Sequence, residues 1–161
     1  TYTSIIEEKI ESYIMNLETV LEMWKKDSEI PQYNLDETSR QTPTLHAKYM
    51  EFMSIARLQL KKAEMAQKTL LKKKWLYYNG KMSQEQIQLE GWDFDPFEGL
   101  KVLKGEMDYY YDADSDIQKS EEKITYYKTY IETLTEIINV LKWRHSTIKN
   151  IIDWRRFEAG G

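Results

Sequence analysis

Residues 115–157 carry apolar side chains that recur every seven residues, and this repeat constrains the fold more than any other feature of the chain. Two series, offset by three positions, consist of Ile117, Ile124, Ile131, Ile138 and Ile152, and of Tyr127, Leu134, Leu141 and Ile148. A seven-residue repeat places both series along one side of a helix, where they can meet the apolar sides of other helices. The pattern therefore predicts a long C-terminal helix of the coiled-coil type.

The apolar face of this helix is broad, because Tyr130, Ile137 and Ile151 stand beside the repeat. A two-stranded coiled coil needs only a narrow seam, whereas bundles and higher oligomers bury a wider one. The broad face therefore indicates a bundle or a higher oligomer, and residues 115–161 are the candidate oligomerisation helix. Its predicted interface consists of Ile124, Ile131, Leu134, Ile138, Leu141, Ile148 and Ile152.

Two further helices are predicted upstream, which makes the fold class all-α. Residues 4–26 have apolar side chains at three- and four-residue spacing, and residues 27–43 contain helix-breaking residues and are expected to be a connector. The second helix is expected to begin at Thr42-Pro43, with proline at the first helical position, and to end at Tyr78 before Asn79-Gly80.

The acidic segment 83–114 is expected to be mostly irregular, because it contains Gly91, Pro96, Gly99 and Gly105. A short helix, capped by Ser83 and ending near Leu89, is the exception. On this basis residues 1–114 form an N-terminal helical region, and the C-terminal helix follows it.

Charge is distributed very unevenly along the chain. Residues 45–82 hold 9 Lys/Arg against 2 Asp/Glu, whereas residues 83–122 hold 3 against 12. Residues 1–44 are also acidic, so that the formal net charge of the whole chain is -4. A partner that carries negative charge must therefore be held by the central segment and not by the overall charge of the protein.

The basic central segment combines cations with aromatic rings. Arg57, Lys61, Lys68 and Lys72 fall within roughly 60° of one another on the second helix. Lys72, Lys73 and Lys74 then lead directly into Trp75, Tyr77 and Tyr78. Cations grip phosphates and exposed rings stack on unpaired bases, so these nine residues are the candidate contacts to single-stranded DNA.

Other interpretations of these lysines and aromatic rings remain open. Lysines on a long helix are often only its solvated face, and each of the three aromatic rings could equally belong to the core. Lys74 falls within the apolar arc of the helix, so either the helix ends before it or this face meets a charged group. A protein–protein adaptor that uses the coiled coil and does not bind DNA is the alternative function.

The sequence contains no motif of an enzyme active site. Gly80-Lys81-Met82 lacks the glycine-rich turn and the Ser/Thr of a Walker phosphate loop. His46 and His145 stand far apart in the sequence without an acidic partner, and no cysteine is available as a nucleophile. We therefore predict a binding protein that is not an enzyme and needs no cofactor.

Neither a metal site nor a membrane span is expected. Residues 112–116 resemble the start of a calcium loop, but Ile117 and Lys123 stand where glycine and glutamate are required. The absence of cysteine excludes thiolate ligands and disulfides and fits a reducing, intracellular setting. No apolar run approaches the roughly 20 residues of a membrane span.

Two motifs resemble those of the UvsY family of phage recombination mediators. LKKKWLYYNG at residues 71–80 is similar to the basic-aromatic motif of that family, and TIKNIIDWRRFEAGG at residues 147–161 is similar to its C-terminal end. In the second motif the matching positions are Ile148, Lys149, Ile151, Asp153, Arg155, Phe157, Glu158, Ala159 and Gly160. Together the motifs cover about 25 residues in the order that the family has them.

The resemblance implies a non-enzymatic recombination mediator. Such a protein binds single-stranded DNA, forms a ring-shaped homo-oligomer of six or seven subunits, and works in the cytoplasm of the infected bacterial host. It helps to load a phage RecA-like recombinase onto strands coated by the phage single-stranded-DNA-binding protein. The DNA contacts implied by the family are Lys72 and Lys74, the second of which is arginine in the family pattern. Lys73 stands where the family has a small residue.

Overall fold

The protein is all-helical in the part of the chain that the structure, a computed structural model, describes: residues 4–5 and 16–160. Its α-helices are α1 (Leu17–Asp27), α2 (Leu35–Tyr78), α3 (Gln84–Glu90), α4 (Met107–Ala113), α5 (Ser115–Lys142) and α6 (Arg144–Glu158). A 3-10 helix, Lys104–Glu106, directly precedes α4. The predicted fold class is therefore confirmed at the level of helices.

The predicted helix over 4–26 lies partly outside the described residues. Its described part, α1, begins after Asn16, whose side chain accepts a hydrogen bond of 3.1 Å from the N–H of Thr19. An N-cap of this kind satisfies a backbone donor that has no partner within the helix. Lys25 and Lys26 in the last turn complement the helix dipole.

Helix α2 begins eight residues before Pro43, so the predicted connector over 27–43 is too long and the predicted start is wrong. Pro43 lies inside the helix, where it cannot donate to the carbonyl of the preceding turn. Two buried residues of the first turn, Leu35 and Thr38, favour the earlier start, as does the ion pair of Arg40 with Glu37 at 2.8 Å. Tertiary burial thus overrides the local preference of proline for a helix start.

The helix predicted over 115–157 is two helices, because α5 ends at Lys142 and α6 begins at Arg144. Arg144 is buried, and its guanidinium donates to the carbonyl of Asp27 at 2.7 Å and to that of Glu29 at 2.9 Å. Asp27 is the last residue of α1 and Glu29 follows it closely. The hydrogen-bond partners of Arg144 therefore lie more than a hundred positions earlier in the chain. The seven-residue repeat carries no sign of such a contact.

The chain divides into two compact units, and the first consists of residues 1–59 and 127–161. Its largest fully buried side chains are Val20, Tyr49, Tyr127, Tyr130 and Leu134. Asp27 accepts hydrogen bonds of 2.8 Å from the ammonium of Lys48 and from the hydroxyl of Tyr49. Burial opposes ionisation of Asp27, but these two hydrogen bonds outweigh it and lower its pKa.

The second unit, residues 60–126, contains the predicted DNA-binding motif. Its core is an aromatic cluster built on Tyr77, Tyr78 and Ile87. Partly buried side chains that pack against these three are Met82, Trp92, Phe97, Met107, Tyr110 and Tyr111. Segment 83–114, expected to be mostly irregular, therefore supplies α3, α4 and most of the core of this unit.

The apolar face of α5 and α6 is buried mainly within the single chain. Of the predicted interface residues, Ile124, Leu134, Leu141 and Ile148 are buried, whereas Ile131 and Ile138 are half-buried and Ile152 is 37% exposed. The flanking residues Tyr130 and Ile137 are buried as well. Much of the repeat therefore packs in the core of the single chain, and its partly exposed members remain accessible to a second chain.

Candidate nucleic-acid interface

The candidate site begins where α2 ends. The N–H of Gly80 bonds to the carbonyl of Tyr77 at 3.2 Å, and the N–H of Lys81 bonds to that of Leu76 at 2.8 Å. This pair of bonds is a Schellman motif, which needs a residue with positive φ, and Gly80 has a φ of 68°. The helix therefore ends as Asn79-Gly80 predicts, and the chain turns back beside its last turn.

One face of this last part of α2 is basic and exposed. Lys61, Lys68, Lys72 and Trp75 all lie within roughly 60° of one another around an α-helix. All four side chains are exposed, and Trp75 is 47% exposed. We call these four residues the basic face. It places three cations and one aromatic ring on one side of the helix, and such groups can bind phosphates and stack on unpaired bases.

Lys81 extends the basic face, although sequence reasoning did not assign it a role. The Schellman turn places its ammonium 4.5 Å from the centre of the Trp75 ring, a cation–π contact. Its sequence signal was its position directly after the basic-aromatic motif, which ends at Gly80. Lys81 thus adds a positive charge beside the ring on which a base would stack.

Lys73 and Arg57 are exposed but lie in different surroundings. Lys73 forms an ion pair of 2.9 Å with Glu90, and both side chains are substantially solvated. Such a surface pair contributes about 0–1 kcal/mol and can exchange its carboxylate for a phosphate. Arg57 belongs to the other unit, where it lines a cavity together with His46, Met53 and Lys142.

Tyr77 and Tyr78 lie in the core in this structure and are not presented for stacking. Their side chains are 7% and 8% exposed. The hydroxyl of Tyr77 donates to the carbonyl of Asp93 at 2.5 Å, and that of Tyr78 donates to the carboxylate of Asp114 at 2.6 Å. Of the three aromatic residues in the motif, Trp75 alone offers an accessible ring.

Lys74 is also buried, at 3% exposure. Its ammonium lies 2.9 Å from the carboxylates of both Asp114 and Asp116 and 3.7 Å from the centre of the Trp92 ring. We call Lys74, Tyr78, Trp92, Asp114 and Asp116 the buried hub, in which Lys74, Tyr78 and Asp114 are buried, Trp92 is half-buried and the side chain of Asp116 is 40% exposed. The sequence left open whether α2 ends before Lys74 or its face meets a charged group, and the structure shows the second: α2 continues to Tyr78, and Lys74 meets Asp114 and Asp116.

Asp114 connects the buried hub to α5. One of its oxygens accepts the N–H groups of Asp116 and Ile117, each at 3.0 Å, and so caps the helix. Burial opposes its ionisation, but the hydrogen bonds from Tyr78, Lys74 and the Ile117 N–H prevail and lower its pKa. The carboxylate is therefore ionised at neutral pH and neutralises Lys74.

The buried hub makes the stability of the protein sensitive to alkali. Burial and the hydrogen bond to Asp114 raise the pKa of Tyr78 above its ordinary value of 10.0. Because the raised pKa belongs to the folded state, its stabilising contribution is complete below pH 10 and is lost as the pH rises further. Between pH 9 and pH 11 the free energy of unfolding should decrease in the unmodified protein because Tyr78 titrates in the unfolded state. We expect the decrease to be about 1 kcal/mol smaller in Tyr78→Phe.

Urea unfolding at several pH values measures this difference. Tyr109→Phe is the matched control, because Tyr109 is 75% exposed. Equal alkaline losses in the unmodified protein and in Tyr78→Phe would contradict the assignment.

The chemistry that this arrangement supports is binding. Within the described residues, no group of His, Cys, Asp or Glu side chains is arranged to hold a metal ion. No helix in the described part of the chain is both long enough and apolar enough to cross a membrane. The exposed functional groups of the basic face are ammonium groups and an indole ring, which bind anions and stack on bases.

Comparison with known proteins places the chain among recombination proteins. Residues 23–161 match the family described as "Recombination, repair and ssDNA binding protein UvsY". The recombination protein uvsY of Enterobacteria phage T4 is 26% identical over 146 residues, which cover 91% of this chain and 99% of that protein.

The fold agrees with crystal structures of the bacteriophage T4 recombination mediator protein UvsY. One of them superposes with a TM-score of 0.74 at 26% identity and covers 89% of this chain and 98% of that one. A second crystal lattice gives a TM-score of 0.73 at 24% identity over 87% and 98% of the two chains. The chain therefore belongs to the UvsY family of recombination, repair and single-stranded-DNA-binding proteins.

Proposed function

We propose that this protein is a recombination mediator that holds single-stranded DNA on the basic face. The observation that carries the proposal is the alignment of Lys61, Lys68 and Lys72 with the exposed ring of Trp75 on one side of α2. Phosphates meet the ammonium groups while a base stacks on the indole, which adds about 1–3 kcal/mol per base. Single strands fit better than duplexes, because stacking requires unpaired bases.

Affinity comes from repetition of this surface around an oligomer. A single phosphate contact is weak and falls with salt, with a slope of roughly -0.7 per phosphate for single strands. We propose a ring-shaped homo-oligomer of six or seven subunits in which the C-terminal helices supply the interface. One strand then meets several copies of the basic face, and the later contacts form at a high effective concentration.

A strand held at many points is bent and constrained, which weakens the grip of a coat protein on it. We propose that this mechanism promotes the loading of a phage RecA-like recombinase onto strands coated by a phage single-stranded-DNA-binding protein, in the cytoplasm of the infected host. The phage T4 relative that shares this fold is named a recombination mediator protein, which supports the assignment. The acidic segment 83–114 repels the DNA backbone and so leaves the basic face as the favoured path.

Light scattering with and without a single-stranded oligonucleotide tests assembly and DNA binding together. We expect a mass of six or seven chains of 19.4 kDa without DNA and a complex with the oligonucleotide that dissociates at high salt. A stable oligomer that does not bind the oligonucleotide at low salt would favour the adaptor function. Binding without stimulation of a recombinase on coated strands would indicate a plain strand-coating protein.

A further inference from the structure

Lys74 lies on the side of α2 that the basic face does not use. It stands about 160° around the helix from Lys72 and about 100° from Trp75. Its side chain is 4% exposed, and that of its partner Asp114 is 5% exposed. To reach this ammonium, a phosphate would have to displace the carboxylate of Asp114 or that of Asp116, whose side chain is 40% exposed.

The ammonium of Lys74 is already fully used inside the protein. Two carboxylates stand 2.9 Å from it, and the face of the Trp92 ring lies 3.7 Å away, which together surround a group with three donors. Asp114 accepts a further hydrogen bond of 2.6 Å from the hydroxyl of Tyr78 and caps α5. Each group of the buried hub therefore has charged or polar partners in place before any DNA arrives.

Moving Lys74 to a phosphate would cost more than the new contact returns. Its departure would leave the carboxylate of Asp114 buried and without its cation, which typically shifts a folding equilibrium by roughly a hundredfold or more. One phosphate contact on a single strand returns only about fivefold at 0.1 M salt. The balance keeps Lys74 in the buried hub.

We propose that Lys74 is a positioning residue and does not contact DNA. It ties the last turn of α2 to the first turn of α5, and this attachment fixes the rotation of α2. With Lys74 held inward, Lys72 points outward and Trp75 stays 47% exposed, with the ammonium of Lys81 over one face of its ring. The inference rests on the proposed DNA binding: Lys72 contacts the strand, and Lys74, two positions further along the chain, orients the helix.

The salt dependence of oligonucleotide binding distinguishes a contact from a positioning residue. The test variant is Lys74→Met combined with Asp114→Asn, which removes both buried charges together and retains an N-cap at position 114. The matched control is Lys72→Met, the same change at an exposed position two residues away. The measurement is the slope of log affinity against log salt for the binding of fluorescent oligo-dT to the 161-residue chain.

We expect Lys72→Met to reduce the steepness of the slope by roughly 0.7 for each subunit engaged. We expect the double variant to retain the original slope and to bind about tenfold more weakly, because the basic face is less well ordered before binding. In urea, Lys74→Met alone should unfold at a lower midpoint than the unmodified protein, and Asp114→Asn should restore most of that loss.

Each other result has a defined meaning. A folded double variant whose slope decreases as much as that of Lys72→Met would make Lys74 a DNA contact and overturn the inference. Unchanged slope with unchanged affinity would limit Lys74 to a role in folding and overturn its positioning role. If the unmodified chain shows no salt-dependent binding, the proposed function itself fails, and the urea series alone then shows whether Lys74 and Asp114 are coupled.

Discussion

Replacing Lys61, Lys68 and Lys72 together by glutamine will reduce the affinity of a single subunit's site for single-stranded DNA by about 100-fold at 0.1 M salt. The estimate follows from a slope of roughly -0.7 per phosphate, which makes each contact worth about fivefold at this salt concentration. The slope itself should decrease in magnitude by about 2 for each engaged subunit. Oligo-dT titrations at four or five salt concentrations give both quantities.

Folding should not be affected, because all three side chains are exposed and glutamine is a good helix former. The matched control replaces three exposed lysines of α5, Lys119, Lys123 and Lys128, by glutamine and so makes the same change in net charge. If the control loses as much affinity as the test variant, overall charge and not the basic face governs binding. Residual binding of the test variant at high salt would reflect stacking on Trp75, since stacking depends little on salt.

The local features of this site could be predicted from the sequence because they depend on neighbours in the chain. Asn79-Gly80 ends α2 by supplying the positive φ of the Schellman turn, and the side chain of Ser83 caps α3 by accepting the N–H of Gln86. The exposed positions of Lys61, Lys68 and Lys72 follow from the helical period alone. These features need no knowledge of the tertiary fold.

The buried hub could be anticipated only in part, because its partners are distant in sequence. Lys74 within an apolar arc was a sign of a buried charge, but nothing local identifies Asp114, 40 positions later, as its partner. Likewise, a tyrosine beside a lysine run fits a stacking surface and a core equally well. The packing of Tyr78 against Phe97, Tyr110 and Tyr111 from the acidic segment determines the outcome.

The seven-residue repeat shows a different limitation. A seven-residue repeat indicates that one face of a helix is buried. It does not indicate whether the element packed against that face belongs to the same chain or to another chain. Leu134 and Leu141 are buried within the subunit, whereas Ile152 remains 37% exposed at the end of the same pattern. Exposure within the single chain therefore identifies which members of the predicted interface a second chain could reach.

The exposed apolar side chains of α6 are where we expect the subunits to meet. Trp154 and Phe157 are 62% and 73% exposed, and their rings stack on each other with centres 5.5 Å apart. Trp154 and Phe157 lie within about 60° of each other on α6, whereas Ile152 lies about 160° around the helix from Trp154, at the end of the seven-residue repeat. Exposed apolar groups concentrated in this way are typical of an interaction surface.

Ile152 ends the seven-residue repeat that supplies the proposed interface, so Ile152→Asp should convert the proposed ring into single chains. A carboxylate within that interface would be buried without a partner, and this cost would be repeated at every interface of a closed ring. The mass measured by light scattering should decrease from six or seven subunits to 19.4 kDa. Because Ile152 is partly exposed in the subunit, the circular dichroism of the variant should stay helical.

A variant that does not assemble allows the DNA affinity of a single chain to be measured apart from that of the proposed assembly. A single chain keeps its basic face intact, so Ile152→Asp should bind a short oligonucleotide with the weak affinity of one site. On a strand long enough to span several subunits it should lose roughly 10²–10⁴-fold, the usual contribution of linked sites. Asn150→Asp is the control, since it adds the same charge at an exposed polar position two residues away. A variant that is still a ring with full affinity would place the interface elsewhere, whereas single chains with full affinity for the long strand would show that DNA binding does not depend on assembly.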